Sequence, residues 1–151
     1  MISTTHKIYL ASKSPRRRKL LKQLGIKFKS FSVDLNEELL DGEHPILTVK
    51  RLSLQKSEAA KKRVKSGVII TADTIVVLDK QIIGKPKDSK QAVLFLKKLS
   101  GKTHTVFTGF TIFNSYNEKT ITDYVRTTVK FRKLTNNEID EYVRGGSPMD
   151  K

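Results

Sequence analysis

Two serines and three arginines crowd into one stretch near the N-terminus, Leu10-Ala-Ser-Lys-Ser-Pro-Arg-Arg-Arg18. Ser14 is a good helix N-cap and Pro15 suits the first helical position. The free N–H groups and dipole at such a helix start favour an anion. Ser12 and Ser14 add hydroxyl donors, and Lys13, Arg16 and Arg17 add charge, with arginine able to grip a phosphate through two parallel hydrogen bonds. The stretch suits a phosphate chain. The same residues would also serve as an ordinary capped helix with basic decoration.

Asp73 is the second chemical residue. It interrupts Val68-Ile-Ile-Thr-Ala-Asp-Thr-Ile-Val-Val-Leu78, a run otherwise almost wholly apolar and β-branched. A carboxylate buried in such a strand is costly unless it is paired or holds a cation, and acids of this kind gather at functional sites. A strand-end aspartate at a sheet margin would give the same pattern. Lys85, in Gly84-Lys-Pro86, follows soon after, and a hairpin would return it beside Asp73. Glu37 and Glu38 lie in an acidic loop and could add carboxylates for a metal. Lys56 falls in the middle of a helical stretch.

Other chemistries are excluded. There is no cysteine, so disulfides, thiolate metal sites and a cysteine nucleophile are ruled out. His6, His44 and His104 have no zinc-ligand spacing. No Walker or Rossmann glycine loop is present.

These residues need elements to hold them. Residues 7–11 read as a strand, 16–24 as a helix with Leu20, Leu21 and Leu24 on its apolar face, and Gly25 as its stop. Residues 27–33 read as a second strand and 34–44 as a loop. A long helix follows from Pro45 to about Lys65, with Leu47, Leu52, Leu54, Ala59 and Ala60 as packing positions. Residues 68–78 form a buried central strand, with a turn at Asp79-Lys80 into a return strand at 81–83. Residues 89–99 read as a helix, and 104–113 and 121–131 as paired strands. Thr135 and Glu138 supply a capping box for a last helix through Val143. The pattern is a mixed α/β single domain.

The net charge is +15, from 30 Lys plus Arg against 15 Asp plus Glu. Residues 1–33 hold nine of these cations and no acid. Such a field attracts polyanions, although most of the lysines read as solvated surface. No apolar run approaches the roughly 18 residues that span a bilayer, and the N-terminus lacks the apolar core of a signal peptide, so a cytoplasmic location with no membrane partner is expected.

Taken together the motifs resemble the Maf family of nucleotide pyrophosphatases. The resemblance rests on Leu10-Ala-Ser-Lys-Ser-Pro-Arg-Arg17, Ala72-Asp-Thr74, Gly84-Lys-Pro86, Leu99-Ser-Gly-Lys-Thr-His104 and Ser147-Pro-Met-Asp-Lys151, which occur in the family's order across the whole chain. It implies an α/β fold like that of inosine triphosphatases, with two lobes around a cleft. It implies a hydrolase of nucleotide metabolism that cleaves nucleoside triphosphates, and some modified nucleotides, to the monophosphate and pyrophosphate with Mg²⁺ or Mn²⁺. By position, Asp73 matches the general base. Ser12, Arg16, Arg17, Lys56 and Lys85 match residues around the phosphates, and Glu37 matches an acidic site residue that would share a metal with Asp73. Thr74 points to the branch acting on dTTP and UTP, in which Arg16 and Thr74 are associated with substrate choice. A homodimer is a further implication.

Family members continue past the Asp-Lys pair, so residues 1–151 are expected to form one Maf-like domain lacking the usual C-terminal segment. That motivates an alternative reading, a truncated inactive relative that binds nucleotide or a protein partner without turnover. A basic nucleic-acid-binding module is the third reading. It leaves Asp73 and the Gly-Lys-Pro loop unexplained, so nucleic acid is not an expected partner.

Overall fold

The computed structural model describes residues 5–145. The Ser147–Lys151 motif lies outside them. Ten elements follow one another as β1 (Ile8–Ala11), α1 (Pro15–Gln23), β2 (Lys29–Phe31), α2 (Pro45–Lys61), β3 (Val68–Leu78), β4 (Gln81–Ile83), α3 (Ser89–Leu99), β5 (Thr103–Asn114), β6 (Lys119–Lys130) and α4 (Asn136–Arg144). The strands form one sheet of order β2-β1-β3-β5-β6, with β4 paired to β3. The fold is the mixed α/β class that the alternation of elements requires. β1 runs parallel to both β2 and β3, with Tyr9 opposite Lys29 on one side and Ile69 on the other.

The chain divides into two compact units, one holding residues 1–74 and 108–125, the other 75–107 and 126–151. In the first, Ala11, Ala60 and Ile69 form a buried cluster with Phe31, Val33, Val64 and Phe113 packed against it. In the second, Ala92 and Leu96 of α3 meet Ile139 and Val143 of α4.

Local chemistry explains the boundaries. Ser14 caps α1 by accepting from the Arg17 N–H, with Pro15 in the first turn. Gly25, at φ 73°, ends that helix in the left-handed conformation that glycine adopts without strain. Asp79 and Lys80 both have positive φ, 49° and 65°, the geometry of a two-residue hairpin turn matched to strand twist, and Val76 pairs with Ile83 across it. The capping box of α4 forms as its sequence requires, Thr135 accepting from the Glu138 N–H and Glu138 reaching back. The Ser100-Gly101 motif is structural. Ser100 Oγ accepts from Leu134 N at 2.7 Å, and the Gly101 N–H donates to the Arg132 carbonyl at 3.1 Å, so these residues splice α3 to the segment after β6.

Two packing expectations are corrected. The apolar face read into α1 is not buried: Leu20 and Leu24 are more than half exposed, and the helix buries no residue. α1 is held by its cap and by the hydrogen bonds of Arg17 described below. On α2, Leu47 and Leu54 face solvent, whereas the buried face is Thr48, Val49, Leu52, Ser53, Ser57 and Ala60. The physical reason is close approach. A Cβ added at Gly109 of β5 would sit 2.3 Å from the Val49 carbonyl oxygen, so α2 lies directly on the strand at that point, an approach that the short side chains of Ser53 and Ser57 on its buried face allow. Hydroxyls line that interface, and those of Ser53, Thr71 and Thr111 find partners in it while Ser57 Oγ has none among the described residues. Ser53 Oγ and Thr111 Oγ1 are 2.9 Å apart, and Thr71 donates to the Ser53 carbonyl at 2.7 Å.

Candidate active site

The site is built on three consecutive residues of β3, Ala72-Asp73-Thr74, which receive one cation from α1 and another from α2. Arg17, in the first turn of α1, reaches across to this strand. Its Nη1 donates to Ser12 Oγ and to the Ala72 carbonyl, both at 3.1 Å, and its Nη2 donates to Thr74 Oγ1 at 3.0 Å. Ser12, at the end of β1, also accepts from the Ser14 N–H at 3.1 Å. A hydroxyl has two acceptor sites and one hydrogen. Both acceptor sites of Ser12 are filled, so its hydrogen is the one group it retains to offer.

Lys56, from the middle of α2, approaches the same strand. Its Nζ donates to Asp73 Oδ1 at 2.8 Å and to the Ala72 carbonyl at 3.4 Å, and pairs with Glu37 Oε1 at 2.8 Å. One ammonium therefore ties two carboxylates together. Asp73 is buried, at 5% exposure, while Glu37 is half exposed. Burial pushes the Asp73 carboxyl up from its ordinary value, Lys56 draws it back, and the nearby Glu37 charge adds to the rise. Burial lowers Arg17, opposed by the carboxylates of Asp73 and Glu37.

The loop carrying Glu37 is fastened to α2 by a pair not read from the sequence. Arg51 grips Glu43 through Nε at 3.2 and 3.0 Å and Nη2 at 2.9 Å, and donates to the Glu38 carbonyl at 2.7 Å. Thr48 adds a bond to Glu43 Oε1 at 2.8 Å. The Arg51 guanidinium holds the Glu43 carboxyl below its usual range. A second unforeseen residue is Thr108 of β5, whose hydroxyl lies 2.9 Å from that of Thr74. An ordinary threonine in an alternating strand carries no signal of its own.

Of the residues singled out by sequence, Ser12, Arg17, Glu37, Lys56, Asp73 and Thr74 are joined by direct hydrogen bonds or ion pairs. Arg16 is exposed in the first turn of α1, and the bond to Thr74 comes from Arg17. Lys85 is exposed in the second unit, just beyond the β3–β4 ladder, which ends at Ile83. Among the described residues, no group of three or more His, Asp or Glu side chains converges as a metal cage. Asp73 and Glu37 form a pair. Both are oxygen donors of the class that hard divalent cations take, and both lie on the Lys56 ammonium.

Comparison with known proteins identifies the family. The profile of the family described as Maf-like protein matches residues 7–151. The chain belongs to the Maf family. Its relatives include the dTTP/UTP pyrophosphatase of Geobacter sp. (strain M21), 46% identical over 144 residues, which cover 95% of this chain and 75% of that protein. The enzyme of the same name from Aquifex aeolicus is 43% identical, covering 96% and 75%. That of Geotalea uraniireducens is 44% identical, covering 100% and 78%. A Vibrio cholerae protein of known crystal structure aligns over 97% of this Maf chain and 76% of its own, at a TM-score of 0.46 and 13% identity. Among the described residues of this Maf chain, no helix is long and apolar enough to cross a membrane.

Proposed function

We propose that this Maf protein hydrolyses nucleoside triphosphates, with dTTP and UTP as preferred substrates, to the monophosphate and pyrophosphate. The observation that carries the reading is the convergence of Arg17 and Lys56 on the strand that presents the buried Asp73. The names of its relatives, dTTP/UTP pyrophosphatases, support the choice of nucleotide.

In this reading the α1 start, Arg16, Arg17 and the Ser12 hydroxyl hydrogen bind phosphate oxygens. Lys56 offsets the charge that grows on the leaving pyrophosphate. Asp73 takes a proton from the attacking water as the bond between the α- and β-phosphates breaks. A carboxyl raised by burial is a stronger base than an exposed one. Asp73 and Glu37 would hold a divalent cation, Mg²⁺ or Mn²⁺, which when bound neutralises triphosphate charge.

The test is pyrophosphate release from dTTP, UTP, CTP, GTP and ATP with Mg²⁺ or Mn²⁺, for the wild-type chain and Asp73→Asn. Turnover that favours dTTP and UTP and falls about 10²–10⁴-fold in the variant is expected. Turnover unchanged by Asp73→Asn would remove Asp73 as the base. A folded chain that binds these nucleotides without releasing pyrophosphate would be a binding protein.

A further inference from the structure

Arg17 is a pure donor, and this fixes the polarity of the hydroxyls around it. Thr74 Oγ1 accepts from Arg17 Nη2 at 3.0 Å and lies 2.9 Å from Thr108 Oγ1. Two arrangements satisfy the pair. If Thr74 donates to Thr108, the Thr108 hydrogen is left over. If Thr108 donates to Thr74, both acceptor sites of Thr74 are filled and its own hydrogen is left over. Either way the Arg17–Thr74–Thr108 chain keeps one hydroxyl hydrogen to give. Thr74 is exposed and Thr108 half-buried, so that hydrogen can meet a ligand. Ser12, saturated as an acceptor by Arg17 and Ser14, presents the same polarity on the other side of the guanidinium.

We infer that Thr108 is a positioning residue of the nucleotide site, which through Thr74 turns one hydroxyl hydrogen toward an oxygen acceptor of the bound nucleotide. This rests on the nucleotide pyrophosphatase reading above and extends it to a residue on a different strand. The acceptor is an oxygen in either of two places, a phosphate or the C4 carbonyl of thymine and uracil. Cytosine carries an amino group at that position, a donor, and Thr74 can accept no further donor once Arg17 and Thr108 both donate to it, so discrimination at the base belongs to the arrangement in which Thr108 donates to Thr74. The relay thus supplies a physical basis for choosing UTP over CTP if the base carbonyl is the acceptor. It supplies a general phosphate contact otherwise.

The experiment compares the full chain carrying Thr108→Val, Thr108→Ser, Thr74→Val and the Thr74→Val/Thr108→Val pair. Steady-state pyrophosphate release gives kcat and KM for dTTP, UTP and CTP. Calorimetry gives the Kd of UTP bridged by methylene between its α- and β-phosphates, which cannot be hydrolysed there. Thr108→Val, folded by circular dichroism, is expected to weaken binding and raise KM by about 3- to 10-fold, the size of one lost hydrogen bond, with kcat within about twofold. Thr108→Ser restores both values. The double variant is no worse than Thr74→Val alone, because the two hydroxyls act as one chain. A loss confined to dTTP and UTP assigns the base carbonyl, and an equal loss for all three assigns a phosphate oxygen. Unchanged KM and Kd in Thr108→Val, a Thr108→Ser variant as weak as Thr108→Val, or full additivity with Thr74→Val would overturn the inference. The two readings separate cleanly. A wild-type chain that binds the analogue but releases no pyrophosphate ends the pyrophosphatase reading, and the Kd series alone then decides Thr108. A chain that neither binds nor turns over ends both.

Discussion

Lys56 Nζ sits 2.8 Å from Asp73 Oδ1, yet the Asp73 carboxyl is held above its ordinary value, because burial outweighs the ammonium beside it. This balance makes a prediction for pH. The base form of Asp73 is needed for proton transfer, so activity falls as pH drops through its raised pKa. Lys56→Met removes the main influence that draws the carboxyl down. The acid limb of kcat/KM for dTTP should therefore move to higher pH in Lys56→Met, on top of a general loss of rate. A limb that stays in place would mean that Lys56 does not govern the ionisation of Asp73.

The same shift sets a stability prediction with a definite sign. A carboxyl whose pKa is raised by folding favours the native state most when protonated. Its stabilising share is full below the unfolded value, near 3.8, and is lost as pH rises through the folded value. Once ionised, the buried Asp73 therefore costs stability. Asp73→Asn should melt at or above the wild-type temperature at pH 7. The gap should narrow as the pH is lowered toward 4. A variant that melts well below wild type at pH 7 would show that the Lys56 pair stabilises more than burial costs.

Arg51 and Glu43 act on Glu37 from a distance. Their multiply bonded pair, with the Arg51 bond to the Glu38 carbonyl, fixes the loop in which Glu37 meets Lys56. Glu43→Gln keeps the shape but cannot accept from Arg51 through two charged oxygens. The Mg²⁺ concentration for half-maximal pyrophosphate release should rise by about 10-fold, the scale seen when groups orienting a metal's ligands are lost. KM for the nucleotide at saturating metal should change far less. An equal rise in both would indicate a general loosening of the loop.

Much of this was legible in the residues. β3 and α3 have the bounds their sequences dictate, because each combines a uniform apolar or periodic run with a clear stop. Ser12, Arg17, Asp73 and Thr74, each in a motif visible in the residues, lie together in the structure, and Lys56 joins them from mid-helix, where no local pattern marks it. The packing faces of α1 and α2 were not legible. Periodicity identifies apolar side chains, but which face is buried depends on the opposing surface. Under α2 that surface is Gly109 and a row of threonines, so Ser53 and Ser57 are buried beside Leu52 while Leu47 and Leu54 face water. Thr108 and the Arg51–Glu43 pair escaped for a related reason. Their roles come from distances of 35 residues or so along the chain in one case, and from the path of an irregular loop in the other. Neither leaves a local pattern.

Gly109 is a test of that packing. Its absent side chain lets the Val49 carbonyl approach, and a Cβ would meet backbone atoms at 2.3 and 2.4 Å. Backbone cannot rotate aside as a side chain does, so α2 must lift. Gly109→Ala should cost about 3 kcal/mol, the upper end for overpacked cores, and lower the melting temperature by about 6–12 °C. Because α2 carries Lys56, pyrophosphate release should fall even at temperatures where the variant stays folded. Wild-type melting in Gly109→Ala would contradict the close approach.

The hydroxyl interface beneath α2 predicts non-additive mutations. Ser53, Thr71 and Thr111 are all fully buried, and Thr111 Oγ1 is 2.9 Å from both Ser53 Oγ and Thr122 Oγ1. Thr111→Val removes one member and leaves the Ser53 hydroxyl with only its bond to the Lys50 carbonyl, at a cost of about 1 kcal/mol. Ser53→Ala alone leaves Thr111 its bond to Thr122 and should cost less. In the double variant both hydroxyls of the pair are gone, so neither is left facing an apolar partner, and its cost should be below the sum of the two by about 0.5 kcal/mol or more. Chemical denaturation of the four proteins in that cycle measures the coupling. Strict additivity would mean that Ser53 and Thr111 are neighbours without a working hydrogen bond, and that apolar contact through Val49 and Leu52 is what seats the helix bearing Lys56.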